Sequence, residues 1–162
     1  MPSRKISFET PNYSGLFQVT RRLRESDRCE CFATRFHDDP SELAREIDVY
    51  ARMSIGWLVC INQEPVATLG AVLVWPGHWH VWAFGTERWG QVVMAITKHI
   101  KRVMIPMLLE VGARSVAAYA HAAHTGACAW LEFLGAKGTP LPNWGKNGED
   151  FVLYRWFREE MT

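Results

Sequence analysis

Two short stretches hold residue types that can do chemistry. The first is Phe84-Gly85-Thr86-Glu87-Arg88-Trp89-Gly90, a turn between a predicted strand and a predicted long helix. It is where a bound small cofactor is to be sought, with Phe84, Gly85, Thr86, Arg88, Trp89 and Gly90 as candidate contacts. The second is the strand before it. His78 and His80 flank Trp79 and point to one face, beside Trp82 and Phe84. Imidazole titrates near neutrality, so His80 is a candidate general base for an amine nucleophile. The plainer reading of the pair is two partly exposed strand-end histidines, since nothing else in the sequence fixes a substrate there. Tyr119 is a candidate acid if its hydroxyl reaches the same pocket, and otherwise a core tyrosine. His121 and His124 follow it, but the four histidines have no fixed ligand spacing, so no metal site is expected.

These residues need a scaffold, and the patterning supplies one. Residues 1–15, with Pro2, Pro11, Asn12, Ser14 and Gly15, read as a loose N-terminal arm, and residues 16–162 as one domain. Leu16 to Thr20 is a short strand candidate. Cys29, Phe32, Ala33 and Phe36 fall at helical spacing after a possible cap at Ser26. Asp39-Pro40-Ser41-Glu42 is a helix start, with a cap, a proline at the first helical position and a capping-box glutamate. Leu43, Ile47, Tyr50 and Ala51 give that helix its buried stripe. Trp57–Ile61, Pro65–Val74 and Trp79–Phe84 read as an antiparallel meander.

A long helix follows, capped by Thr86, with Val92, Ile96, Ile100, Val103 and Met107 on its apolar side. Pro106 should kink or shorten it, and Gly112 should end it. Ser115–Ala120 is a strand, and Thr125 caps a short helix that Gly135 ends. Ala136–Thr139 is a brief strand and Phe151–Phe157 the last one. The fold class is α+β: a mixed, mostly antiparallel sheet of six to seven strands flanked by about four helices, splayed between the strand ending at Phe84 and the one from Ser115.

Composition narrows the classes of function. At 162 residues the chain can bury a core without staples. A net charge of +1 leaves no global field to draw in nucleic acid, and Lys98, Lys101 and Arg102 read as a solvated helix face. No apolar stretch approaches the roughly 20 residues needed to cross a bilayer, and no apolar run follows the N-terminal charges, so neither membrane segment nor secretion signal is expected. Cys29, Cys31, Cys60 and Cys128 fit no zinc or disulfide framework and suit a reducing compartment. Among the eight tryptophans, Trp75, Trp79, Trp89 and Trp144 sit in or beside turns, where they suit a pocket or an interface as well as a core.

The order of elements resembles the GNAT acyltransferases, over roughly residues 16–157. Ala127-Cys128-Ala129-Trp130-Leu131-Glu132-Phe133-Leu134-Gly135-Ala136 looks like the helix and strand that close that fold. A narrower likeness is to the GNAT-like proteins of short-tailed bacteriophages. It rests on Asp27-Arg28-Cys29-Glu30-Cys31, the Trp-rich meander, and the long basic-backed helix before His121-Ala122-Ala123-His124-Thr125. The resemblance implies acyl transfer from acetyl- or another acyl-coenzyme A to an amine. Backbone N–H groups from Gly85 to Gly90 would then hold the pyrophosphate, and His80, or a water it orients, would take the amine's proton.

Two features depart from the family pattern. Arg88 and Glu87 stand where the turn wants glycines, and Leu131 stands where many members carry a catalytic tyrosine. The phage likeness therefore also implies a second possibility. It is a non-enzymatic virion or assembly protein in the host cytoplasm or the particle, binding phage structural proteins or a second copy through the Trp-rich loops.

Overall fold

The computed structural model describes residues 3–162. Its sheet has seven strands in the order β1-β2-β3-β4-β5-β7-β6. They are β1 (Ile6–Glu9), β2 (Ile55–Ile61), β3 (Glu64–Trp75), β4 (His78–Gly85), β5 (Ser115–His121), β6 (Lys137–Leu141) and β7 (Phe151–Phe157). Every neighbouring pair is antiparallel except β4–β5. The expected α+β class and the splay are both present. The β2–β3 turn is tight because Asn62 and Gln63 both adopt positive φ, at 48° and 71°.

From Ile6 on, the residues read as a loose arm form regular structure, and residues 1–2 lie outside the described ones. Ile6-Ser7-Phe8-Glu9 alternates apolar and polar, pairs with β2 from Ile6↔Ile61 to Glu9↔Leu58, and packs Ile6 and Phe8 on the core. Leu16–Thr20 belongs to a helix, α1 (Tyr13–Thr20), and not to a strand. Asn12 caps it by accepting the Gly15 N–H at 2.8 Å, and Leu16, Val19 and Thr20 are buried at helical spacing. Five residues alone cannot separate the two periods.

Helix α2 (Glu25–Ala33) starts from Arg24, not Ser26, ends before Phe36, and buries Phe32 and Ala33 as expected but Asp27 and Cys31 in place of Cys29. Asp27, Cys31, Phe32 and Ala33 are buried, whereas Cys29 and Phe36 are exposed. Helix α3 (Pro40–Met53) starts as predicted, with Asp39 accepting the Ser41 N–H at 2.8 Å. Leu43, Ala44 and Ile47 bury its stripe against α1 and the sheet.

The long helix is three segments end to end. Helix α4 (Val93–His99) runs into a wider π turn over Ile100–Met104 and on into α5 (Ile105–Glu110). Pro106 explains the π turn: a regular helix would drive its ring into the Arg102 carbonyl, and the wider turn relieves that clash. Helix α6 (Thr125–Phe133) is capped by His124, not Thr125. Helix α7 (Arg158–Met161) ends the chain. Among the described residues no helix is long and apolar enough to cross a membrane.

The sheet therefore has two faces. Helices α1, α2 and α3 cover one, over Leu58, Cys60 and Phe84. Helices α4, α5 and α6 cover the other, over Val59, Leu69, Val116, Ala118 and Ala120.

Candidate active site

Strands β4 and β5 run parallel, but they pair only at His78↔Ser115, Trp79↔Val116 and His80↔Ala117. Beyond His80 each stays with its own half of the sheet. Strand β4 follows β3 to Gly85↔Ala67, and β5 follows β7 to His121↔Phe151. Sheet twist then carries the halves apart and opens a V. His78 Nδ1 lies 2.6 Å from Ser115 Oγ and clips its closed end.

The mouth of the V is bridged by α2. Asp27 and Glu30 are one turn apart on that helix and share a face. Asp27, only 1% exposed, accepts the Gly85 N–H at the end of β4 at 2.8 Å. Glu30 accepts the His121 N–H at the end of β5 at 2.9 Å. One helix thus satisfies a backbone donor on both splayed strands.

Asp27 also takes Arg24 Nε at 2.8 Å and His124 Nε2 at 2.9 Å. The histidine's tautomer follows from its other contact. Nδ1 accepts the Ala127 N–H at 3.3 Å as the cap of α6, so Nε2 carries the proton and donates it to Asp27. Arg24 stacks over the Trp89 ring at 4.9 Å. Desolvation pushes the Glu30 carboxyl up to about 7, with the His121 N–H pulling the other way. Ligand atoms of Asp27, Glu30 and His124 lie within 4.8 Å of one another. Arg24 already brings a positive charge to Asp27, so Asp27 is held in an ion pair within the chain.

The turn after β4 is largely self-contained. Gly85 N–H goes to Asp27, Thr86 N–H to the Val66 carbonyl, Arg88 N–H to Thr86 Oγ1, and Trp89 N–H to the Thr86 carbonyl. Gln91 and Val92 donate to Arg88 and Trp89. Thr86 thus stabilises the turn itself instead of capping the helix. Gly85 is needed for close packing: an added Cβ would lie 2.8 Å from the Val66 carbonyl oxygen and 3.0 Å from Trp89. Arg88 turns away to Glu64 at 2.7 Å, and Glu87 is exposed. A diphosphate cradle needs several free N–H groups converging on one point. This turn spends most of its donors within the chain, so a diphosphate does not fit it as it stands.

The other candidates fall around a cavity of about 430 Å³ that passes through the V, from Ile47 and Tyr50 on the α3 side to Ile100, Met104 and Trp130 on the α4 side. Phe84 and Trp89 line it, whereas Gly85, Thr86, Arg88 and Gly90 are not in its lining. His80 and Tyr119 line it together. They stand on opposite arms of the V on the α1–α3 face, ring centroids 5.4 Å apart and edge to face at 78°. Burial lowers the His80 pKa below its ordinary value, which keeps the imidazole neutral at pH 7. Leu131 is buried on the opposite face, so Tyr119 does not take over its place. Sequence reasoning assigns no chemical role to Asp27, Glu30 or Arg24. Their Arg-x-x-Asp-x-x-Glu spacing on a helix was the only local signal, and their partners lie far along the chain.

No protein-family model and no curated protein sequence matches the chain. Solved structures do. Ard1 of Thermoplasma volcanium superposes with a TM-score of 0.73 at 12% identity, over 94% of this chain and 97% of that one. The Escherichia coli ribosomal-protein-S18-alanine N-acetyltransferase gives 0.67 at 16%, over 96% and 94%. A GNAT-family acetyltransferase of Bacillus anthracis gives 0.68 at 11%, over 98% of both. At these identities the likeness is one of fold, and the fold is that of the GNAT acetyltransferases.

Proposed function

We propose that the chain is an N-acyltransferase that moves an acyl group from an acyl-coenzyme A thioester to an amine. The observation that carries this reading is the His80–Tyr119 pair, set where the V opens and lining the cavity that passes through it. The amine approaches on the α1–α3 face, and neutral His80 accepts its proton as nitrogen attacks the thioester carbonyl. The C–N bond forms, the C–S bond breaks, and the Tyr119 hydroxyl is placed to protonate the departing thiolate. Because the turn offers no cradle for the diphosphate, donor affinity must come from the rest of the molecule, and weak binding is expected.

The test is turnover. With acetyl-coenzyme A and a panel of primary amines, free thiol should appear, and His80→Ala should lower kcat by about 100-fold, the low end for loss of a general base. In the parent enzyme, kcat/KM should fall on the acid side of the ordinary imidazole range, where His80, its pKa lowered by burial, becomes protonated, and His80→Ala should flatten that limb. Absence of thiol release, together with no rise in melting temperature at millimolar acetyl-coenzyme A, would refute the proposal.

A second reading draws on the closed turn and on Trp75 and Trp144, which are more than half or about half exposed. In it, the fold serves as a non-enzymatic scaffold of a phage particle or its assembly, docking structural proteins or a second copy. Co-purification with capsid or portal-region proteins would support it, and a free monomer at every stage of infection would count against it.

A further inference from the structure

The α1–α3 side of the cavity is built from rings, and one of them is laid into the sheet. Trp82 on β4 lies across β3 and β2 where both strands carry glycine. A Cβ added at Gly70 would sit 2.3 Å from its ring, and one at Gly56 would sit 3.1 Å away. Its indole N–H donates to Thr68 Oγ1 at 3.2 Å, and Thr68 in turn donates to the Trp57 carbonyl at 2.9 Å. The ring is therefore fixed in place before any ligand arrives. Tyr50 leans on it from α3, centroids 6.1 Å apart. His80 stands two residues back on the same face of β4. Across the V, Tyr119 meets His80 edge-on and stacks on Trp144 of the β6–β7 loop, 5.9 Å away at 5°.

Of the carboxylates near these rings, Glu46 is paired with a cation and Glu30 is not. Arg35 holds Glu46 at 2.7 Å, and Glu30 faces the His121 N–H. A cationic chain such as a lysine or a polyamine would lose its hydration here and meet only the Glu30 carboxyl, whose charged form burial disfavours. A flat aromatic body fits instead, gaining offset or edge contacts with the rings.

We infer that this half of the cavity binds an aromatic amine, its ring system held between Trp82 and the Tyr119–Trp144 stack and its nitrogen directed to His80. The direction of the nitrogen rests on the acyl-transfer reading; the slot for the ring does not. Binding is therefore measured with the full chain and no acyl donor, by titration calorimetry with tryptamine, hexylamine and spermidine. Tryptamine should bind at least 10-fold more tightly than either aliphatic amine. Tyr119→Leu and Trp144→Ala, both at partly exposed positions, should each weaken tryptamine at least 5-fold while the melting temperature stays within about 2 °C. Equal or tighter binding of hexylamine or spermidine, no binding of tryptamine, or full affinity in both variants would overturn the inference. Tryptamine binding without any turnover on adding acetyl-coenzyme A would leave it standing and count against acyl transfer alone.

Discussion

Glu30 accepts the His121 backbone N–H from within the V, and burial pushes its carboxyl up to about 7 from an ordinary value of 4.5. Folding therefore favours its protonated form. Between about pH 4.5 and 7 the native state holds a proton that the unfolded chain has released, so this group's contribution to stability falls as pH rises through that window. The full effect above pH 7 is up to about 3 kcal/mol. Glu30→Gln keeps an acceptor for His121 and has no charge to bury. Urea unfolding at pH 5 and pH 8 should show the variant gaining on the parent as pH rises. A constant difference at both pH values would mean that Glu30 ionises as an exposed carboxylate does. Little of this was legible in the sequence. Glu30 sits between two cysteines on a helix whose buried stripe the local pattern placed only in part: Phe32 and Ala33 are buried, but Cys29 faces solvent and Phe36 lies beyond the helix end.

At the level of elements, α2 is the piece that joins the two arms of the V. Its hold rests mainly on Asp27, which is 1% exposed and shared by Arg24, His124 and the Gly85 N–H. Asp27→Ala would leave a guanidinium and a backbone donor without their acceptor. Breaking a buried pair from one side costs about 3 kcal/mol or more. For a chain of this size that corresponds to a fall of about 6 to 12 °C in melting temperature. Asp27→Asn, which keeps an acceptor oxygen, should fall between that variant and the parent in calorimetry. A loss under 1 kcal/mol for Asp27→Ala would show that α2 is held by its apolar face alone. The long helix shows a different kind of legibility. Pro106 announced an interruption, and the interruption is there, but a proline can be met by a kink, a stop or a π turn. The choice lay with Ile96 before the irregularity, Met104 within it and Leu108 after it, all buried in the core.

At the level of the molecule, two half-sheets meet through three residue pairs, with the His78–Ser115 contact at the base. Ser115→Ala removes that clip at a cost of about 1 kcal/mol, the net worth of one hydrogen bond. Its expected signature is local: faster amide exchange in His78–His80 and Ser115–Ala117, with little change in the β2–β3 hairpin. Uniformly faster exchange would mean that the two halves unfold as one and that the seam is no weak point.

The sequence by itself determined what neighbours along the chain decide. Asp39-Pro40 starts α3, the meander from β2 to β4 follows from period-two runs and turn residues, and β7 spans Phe151–Phe157 as patterned. It also singled out His80 and Tyr119, though as separate candidates. Tertiary structure decided which of these residues meet. Parallel pairing at His80↔Ala117 brings His80 and Tyr119 to facing arms of the V. Asp27 reaches Gly85 across 58 positions, and Glu30 reaches His121 across 91. Gly56 and Gly70 make room for a tryptophan on a third strand. Such contacts depend on packing and register between distant segments, and a local pattern of residue types holds no record of them.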